Sequence, residues 1–302
     1  MLLAIVIPYY KLTFFEATLR SLANQTDKRF NVYIGDDNSP ESPLELLENY
    51  KGKFEFEYHK FEDNLGSSSL TKQWERCINL ASNEEWIMIL GDDDVLKNDV
   101  VSNWYKSYLE FNTKANVIRF ASMLINADDE ITSDKFIHPI WEKATDSFYR
   151  KFLGSTRSSL SEYIFSKESF KKHGFYNYQL AWNSDDRAWL EFSEDKPIYT
   201  INDSLVKVRV SEINISGKGD NYLVKNKSLL EFYKFLISKK LSHYSPQQRT
   251  NILRNYGKNI KKYREISFLE YVYIIFYSIK YFNLEILKKG LNVIRNKYKI
   301  QK

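Results

Sequence analysis

An α/β fold, with a mostly parallel central sheet flanked by helices and a C-terminal α-helical region, is what this chain of 302 residues predicts. Three observations carry that expectation. Apolar runs of strand length alternate with helical patterns through the first half, joined by short links; that order gives right-handed crossovers and a mostly parallel sheet. Two of those runs end in clustered carboxylates, Asp36-Asp37 and Asp92-Asp93-Asp94. The net charge of +5 is unevenly shared: residues 222–302 hold 18 Lys and Arg against four Glu, whereas residues 1–221 hold 26 basic and 35 acidic side chains. Such asymmetry marks a separate module, and the expected boundaries are 1–220 and 221–302.

The elements follow in order. Residues 2–7 are apolar and β-prone, and Pro8 stops them. This run lacks a basic start and a cleavage site, so it reads as a first strand and not a signal peptide. Phe14, Phe15, Leu19 and Leu22 recur at helical spacing within 13–24. Phe30 to Ile34 is a second strand, a helix spans about 43–50, and 54–59 alternates as a third strand. Asn64-Leu65-Gly66 is a turn. A helix is expected from about Ser68 to Ala81, then a buried strand at 86–90. A helix near 100–111 leads to a strand at 116–121, and 123–140 is polar, a hairpin or loop. Leu160 to Phe165 reads as a strand, and a short helix ends at His173-Gly174, a good stop signal. Trp182 to Phe192 has a polar start and a helical body. Residues 197–210 alternate as one or two strands. The segment 216–221, SGKGDN, is the expected hinge, and three or four helices follow it.

One cysteine, Cys77, excludes an internal disulfide framework and fits a reducing compartment. No run reaches the ~20 apolar residues needed to span a bilayer. His59, His138, His173 and His243 show no metal-ligand spacing and are read as structural or surface residues.

The chemistry lies in three acidic clusters. Adjacent carboxylates repel, and a bound cation or hydrogen bonds must compensate. At Asp92-Asp93-Asp94, hard oxygen ligands at a strand's carboxyl end suit magnesium or manganese holding a diphosphate. The competing reading is an acidic turn before the helix near Asn98. Asp36-Asp37 can accept from a ribose hydroxyl or a base N–H, or close an Asx turn with Asn38 and Ser39. Ser184-Asp185-Asp186 opens a helix, where a carboxylate can take a proton from a hydroxyl nucleophile or serve the helix end. No Gly-x-Gly-x-x-Gly follows the first strand and no Walker pattern occurs, which disfavours dinucleotide dehydrogenases and P-loop enzymes.

Taken together, these segments resemble family 2 glycosyltransferases of the GT-A (Rossmann-like) fold. The matching residues are IVIPYY at 5–10, IGDDNS at 34–39, NLG at 64–66, CINLAS at 77–82, WIMILGDDDVL at 86–96, GFY at 174–176, NSDDRAWLEF at 183–192 and VKVRVSEINIS at 206–216. The resemblance covers about residues 1–216. It implies a nucleotide-sugar donor with its base beside Pro8 and Tyr10, Asp37 reading uracil, and Gly66 and Arg209 at the donor site. It places the divalent metal (manganese or magnesium) chiefly on Asp93, with Asp92 facing ribose or metal and Asp94 beside them. It puts the catalytic base on Asp185, with Asp186 the less favoured choice, in an inverting displacement. Departures are Gly91 where many members carry an acid, Lys11 for a frequent Asn, Ser211 for a frequent His, and Trp74-Glu75 for a frequent Arg-Asn pair. Lys72 is the substitute cation suggested for the diphosphate.

The expected function is therefore a metal-dependent inverting glycosyltransferase moving a sugar, from a UDP-sugar, to a glycan or lipid-linked glycan in surface-polysaccharide synthesis. The alternatives are a catalytically silent sugar-nucleotide or glycan-binding protein and a nucleotidyltransferase; the latter needs a Gly-rich, Arg-containing loop that PYYKLTFFE does not offer. The tail interleaves aromatics with lysines, as in FLEYVYIIFYSIKYF at 268–282. It reads as a helical bundle against the catalytic domain, or as a peripheral contact with the anionic inner face of the cytoplasmic membrane. Nucleic acid is not expected as a partner, and the location expected is the cytoplasm.

Overall fold

Every second residue of the first strand enters a different core. The computed structural model describes residues 2–213 and 221–281 and a few isolated positions beyond; apart from Asn221, the hinge expected at 216–221 lies outside the described residues. In β1 (Leu3–Tyr9), Leu3, Ile5, Ile7 and Tyr9 join one apolar cluster while Ala4 and Val6 join another. A strand buried on both faces reads as an unbroken apolar run, which is the pattern of a parallel sheet covered on both sides. The strand at Trp86–Ile89 divides the same way, with Trp86 and Met88 in the first cluster and Ile87 and Ile89 in the second. Each such fully buried side chain contributes about 1.5–3 kcal/mol.

The first half supplies β1, α1 (Phe15–Ala23), β2 (Phe30–Asp36), α2 (Leu44–Glu48), β3 (Glu55–Lys60), α3 (Leu70–Ile78) and β4 (Trp86–Ile89). Strands β3, β2, β1 and β4 are parallel neighbours in that order. The second half supplies β5 (Val95–Leu96), α4 (Val100–Phe111), β6 (Val117–Ile125), β7 (Trp141–Glu142), α5 (Ala144–Phe152), β8 (Tyr163–Ser166), α6 (Lys167–His173), α7 (Ser184–Phe192) and β9 (Ile198–Arg209). Here the sheet becomes mixed. β8 lies antiparallel between β4 and β6, β9 runs parallel to β6, and β5 and β7 lie antiparallel to β9.

Several boundaries move for local reasons. The helix expected from Ser68 starts at Leu70, because Ser69 is its N-cap and accepts the Lys72 N–H. The strand expected at 160–165 is Tyr163–Ser166; the serines before it face a cavity. The segment 197–210 is one strand with a register shift: Phe120 pairs with Ile201 but Ala121 with Leu205. That bulge is why its alternation also fits two strands. Residues 123–140 form an irregular hairpin marked by bridges Ser122–Phe136 and Ile125–Ile131. The α5 helix has no counterpart in the sequence reading, although Ala144, Phe148 and Phe152 recur at a spacing of four.

Contacts divide the chain into Met1–Asp220 and Asn221–Lys302. Within the second unit the described helices are α8 (Tyr222–Phe235), α9 (Pro246–Lys261) and α10 (Phe268–Lys280). Capping boxes start the last two, Ser245 with Gln248 and Ser267 with Glu270. Phe232, Leu236, Ile252, Tyr256 and Ile260 are buried, whereas Phe268, Leu269, Val272, Phe276 and Ile279 of α10 are exposed.

Candidate active site

At the carboxyl ends of β1 and β4 the first unit opens into a cavity of about 920 Å³. That edge is where open α/β sheets hold ligands, and the volume suits a cofactor-sized molecule. Pro8, Tyr10, Asp37, Gly66, Asp92, Asp93, Asp94, Asp185, Asp186 and Arg209 all line it. Residues drawn from six separated segments therefore converge on one place. Lys72 does not join them: it is exposed, and α3 instead brings Gln73 and Trp74 to the cavity. The diphosphate contact suggested for Lys72 thus has no geometric support.

The two acids after β2 divide the roles that the sequence left open. Asp36 closes the turn, accepting the Ser39 N–H at 2.7 Å and the Tyr58 hydroxyl at 2.6 Å. Asp37 turns to the next loop, accepting N–H groups of Leu65 and Gly66, each at 2.9 Å, and the Arg76 guanidinium. A Cβ on Gly66 would collide with the Asp37 carboxylate, so the close approach requires glycine there. Burial raises the Asp37 carboxyl above its ordinary value, and its donors pull it back.

In the run after β4, Asp92 Oδ2 accepts the backbone N–H groups of Tyr10 and Lys11 at 2.8 and 2.9 Å, tying the run to the end of β1. Asp94 Oδ1 accepts the Arg209 N–H at 2.8 Å, tying it to β9. Arg209 is a clamp: its guanidinium donates to the carbonyls of Asp93 and Asn126, pairs with Asp129 and lies over the Phe14 ring. Its charge meets protein acceptors, so a diphosphate contact is not what this geometry favours for it. Among the described residues no side-chain donor reaches the Asp93 carboxylate. Burial, then Asp94 and Asp92, raise its carboxyl well above the usual range, and Asp92 and Asp94 are also raised by burial. Gly91 makes room for this arrangement, since a Cβ there would stand 2.7 Å from Asp93 Oδ1.

The described residues contain no group of three His, Cys, Asp or Glu side chains able to hold a metal alone. Asp93, with no side-chain donor and its carboxyl raised, is still the donor that a magnesium-type ion requires. Such ions take one or two carboxylates and complete their shell with water and phosphate oxygens. The residues present fit an ion shared with a diphosphate.

The third cluster opens α7. Three backbone departures within four residues precede it, with Leu180, Ala181 and Asn183 all at positive φ (57, 50 and 69°). Non-glycine residues held there store strain, and such strain gathers at functional sites. α7 is pinned behind them: Trp189 stacks on Tyr163 at 4.2 Å, and Phe192 packs on Phe165. Asp186 is bound by the Lys151 ammonium at 2.6 Å and Asn183 Nδ2 at 2.7 Å. Asp185 has no side-chain donor among the described residues; burial and the adjacent Asp186 charge push its carboxyl up to about 6, with Lys151 opposing. A base whose pKa lies near neutrality is matched to proton transfer at physiological pH.

Lys151, Arg157 and Ser161 also line the cavity and were not evident in the sequence. Arg157 pairs with Glu162 at 2.5 Å, and Ser161 Oγ accepts the Gly91 N–H at 3.0 Å. No motif flags them, because they enter from α5 and the irregular chain before β8.

Residues 4–122 match the family model described as glycosyl transferase family 2. This match supports a glycosyltransferase. No curated protein sequence matches the chain. Its fold is similar to crystal structures of S. aureus TarS. Against TarS 1–349 the TM-score is 0.62 at 12% identity, covering 95% of this chain and 82% of that one. Against TarS 1–349 in complex with UDP-GlcNAc it is 0.60 at 15% identity, covering 99% and 92%. At such identities the likeness establishes the fold, GT-A, alone.

Proposed function

We propose that this glycosyltransferase moves a sugar from a nucleoside diphosphate donor, a UDP-sugar, to a hydroxyl of a glycan or lipid-linked glycan, with inversion, in polysaccharide synthesis. One observation carries the reading: a single cavity holds both Asp93, a charge-hungry carboxylate, and Asp185, a carboxyl poised near neutrality. The similarity to a structure holding UDP-GlcNAc supports the donor class.

Asp37 and the 64–66 turn, with Pro8 and with Tyr10, whose hydroxyl accepts from Asn64 Nδ2 at 3.1 Å, form the pocket wall for the base. Asp93, with Asp92, would hold magnesium or manganese, which when bound neutralises charge on the diphosphate. Asp185 orients the acceptor hydroxyl and takes its proton as the oxygen attacks the anomeric carbon. The bond from that carbon to the diphosphate oxygen breaks on the opposite face, so configuration inverts. The donor class is tested by thermal shift of the full chain with manganese and a panel of nucleotide sugars. Stabilisation by UDP compounds together with the metal supports the reading; stabilisation by metal alone, or by no nucleotide, refutes it.

The exposed apolar residues of α10 and the basic composition of residues 222–302 favour peripheral contact with an anionic membrane from the cytoplasmic side. No helix among the described residues is long and apolar enough to cross one. Flotation with phosphatidylglycerol liposomes should fall when Phe276 and Ile279 become Ser; equal flotation refutes the contact.

A further inference from the structure

We propose that Lys151 is a positioning residue for the acceptor-activating carboxylate: from α5 its ammonium grips Asp186 and fixes the neighbouring Asp185 as an ionised base facing the cavity. The proposal rests on the reading of Asp185 given above.

Two adjacent carboxylates in a buried site cannot both ionise freely, and without a counter-charge they share a proton. Lys151 Nζ lies 2.6 Å from Asp186 Oδ1, and Asp186, 4% exposed, has its other oxygen on Asn183. Asp186 is thus held by protein donors on both oxygens, while Asp185 remains open to a substrate. The ammonium acts on both acids: burial works against its charge, yet Asp186 and Asp185 together hold its pKa above the ordinary lysine value. It stays cationic throughout the working pH range.

The helix that carries Lys151 is itself anchored. The preceding residue, Arg150, donates to both oxygens of Glu142 at 2.6 and 2.9 Å and meets His138 Nδ1. Glu142 is held from inside by Arg119, which also binds Ser147 of α5 and Thr200 of β9. A buried, many-membered network of this kind fixes position. A lysine on a loose surface helix would have no such support. Lys151 also lines the cavity beside Asp185 and Asp186, so its charge is set in the site and not behind it.

The test reads the carboxylates directly. In the full chain labelled with ¹³Cγ-aspartate, the Asp185 resonance is assigned by its loss in Asp185→Asn and its midpoint followed with pH. Lys151→Met should raise that midpoint by about one pH unit or more, and Lys151→Arg should restore most of the shift. The acidic limb of turnover should move with it. An unchanged midpoint in Lys151→Met overturns the proposal. Should that variant not fold, Asp186→Asn leaves the ammonium facing Asp185 alone, and the Asp185 midpoint must drop below the native value; a midpoint that stays or rises overturns the proposal equally. These midpoints do not depend on turnover. Full activity in Asp185→Asn would therefore remove the base assignment without touching the placement of Lys151.

Discussion

Replacing Asp185 with Asn should cut turnover sharply and stabilise the fold at the same time. The carboxyl is pushed up to about 6 from an ordinary 3.8, chiefly by burial. A carboxyl raised in the folded state opposes folding above its folded pKa, and the opposition fades as pH falls toward the unfolded value. Two units correspond to about 3 kcal/mol at pH 7 and about half that at pH 5. Asn carries no charge, so the variant should be more stable by roughly that difference, with the gain shrinking on acidification. Urea unfolding of both proteins at pH 7 and pH 5 measures it. Turnover should fall by about 10²–10⁴, the usual worth of a positioned base. The native enzyme should lose activity about tenfold between pH 7 and pH 5, because only the ionised carboxylate accepts a proton. A variant that is less stable at pH 7, or native activity that stays level down to pH 5, would refute the reasoning.

Asp93→Asn should weaken manganese-dependent UDP binding by about tenfold or more, read by calorimetry, while binding without metal does not weaken. Gly91→Ala places a methyl 2.7 Å from Asp93 Oδ1; it should leave circular dichroism unchanged but reduce the same metal-dependent affinity, because the carboxylate must rotate away. Glu142→Ala leaves Arg119, 1% exposed, without its anion, and should destabilise the first unit by about 3–5 kcal/mol in urea. Asp37→Ala removes the acceptor for Leu65, Gly66 and Arg76 and should lower UDP affinity even without metal.

What the sequence made legible was set by local pattern. β1, β2 and β4 are short apolar runs with a stop signal, so their presence and parallel sense could be read. Asp37 and the 92–94 run follow those stops, so they fall at one edge of the sheet, and there they line one cavity. What could not be read depended on distance. Asp36 and Asp37 are chemically identical neighbours, and only Tyr58 and the Leu65-Gly66 turn, more than twenty residues on, assign them different tasks. Arg209 matches a motif position, yet its partners come from 93, 126 and 129. Lys151 sits in no motif at all, on a helix whose anchor, Arg119, lies on β6.

Charge balance also orders the events of binding. The carboxylates at 92–94 are held above their ordinary pKa chiefly by burial, and the neighbouring cations Arg209 and Arg157 are engaged by Asp129 with backbone carbonyls and by Glu162. A nucleoside diphosphate brings further negative charge to the same wall. Neither the acids nor the diphosphate gains by approaching the other alone, whereas a divalent ion between them satisfies both. Metal and donor should therefore bind with positive coupling, each raising the affinity of the other by the same factor. Calorimetric titration of UDP with and without manganese, and of manganese with and without UDP, closes that cycle. Independent binding of the two would mean that the carboxylate run is neutralised by the protein itself, and that Asp93 serves the turn and not the donor.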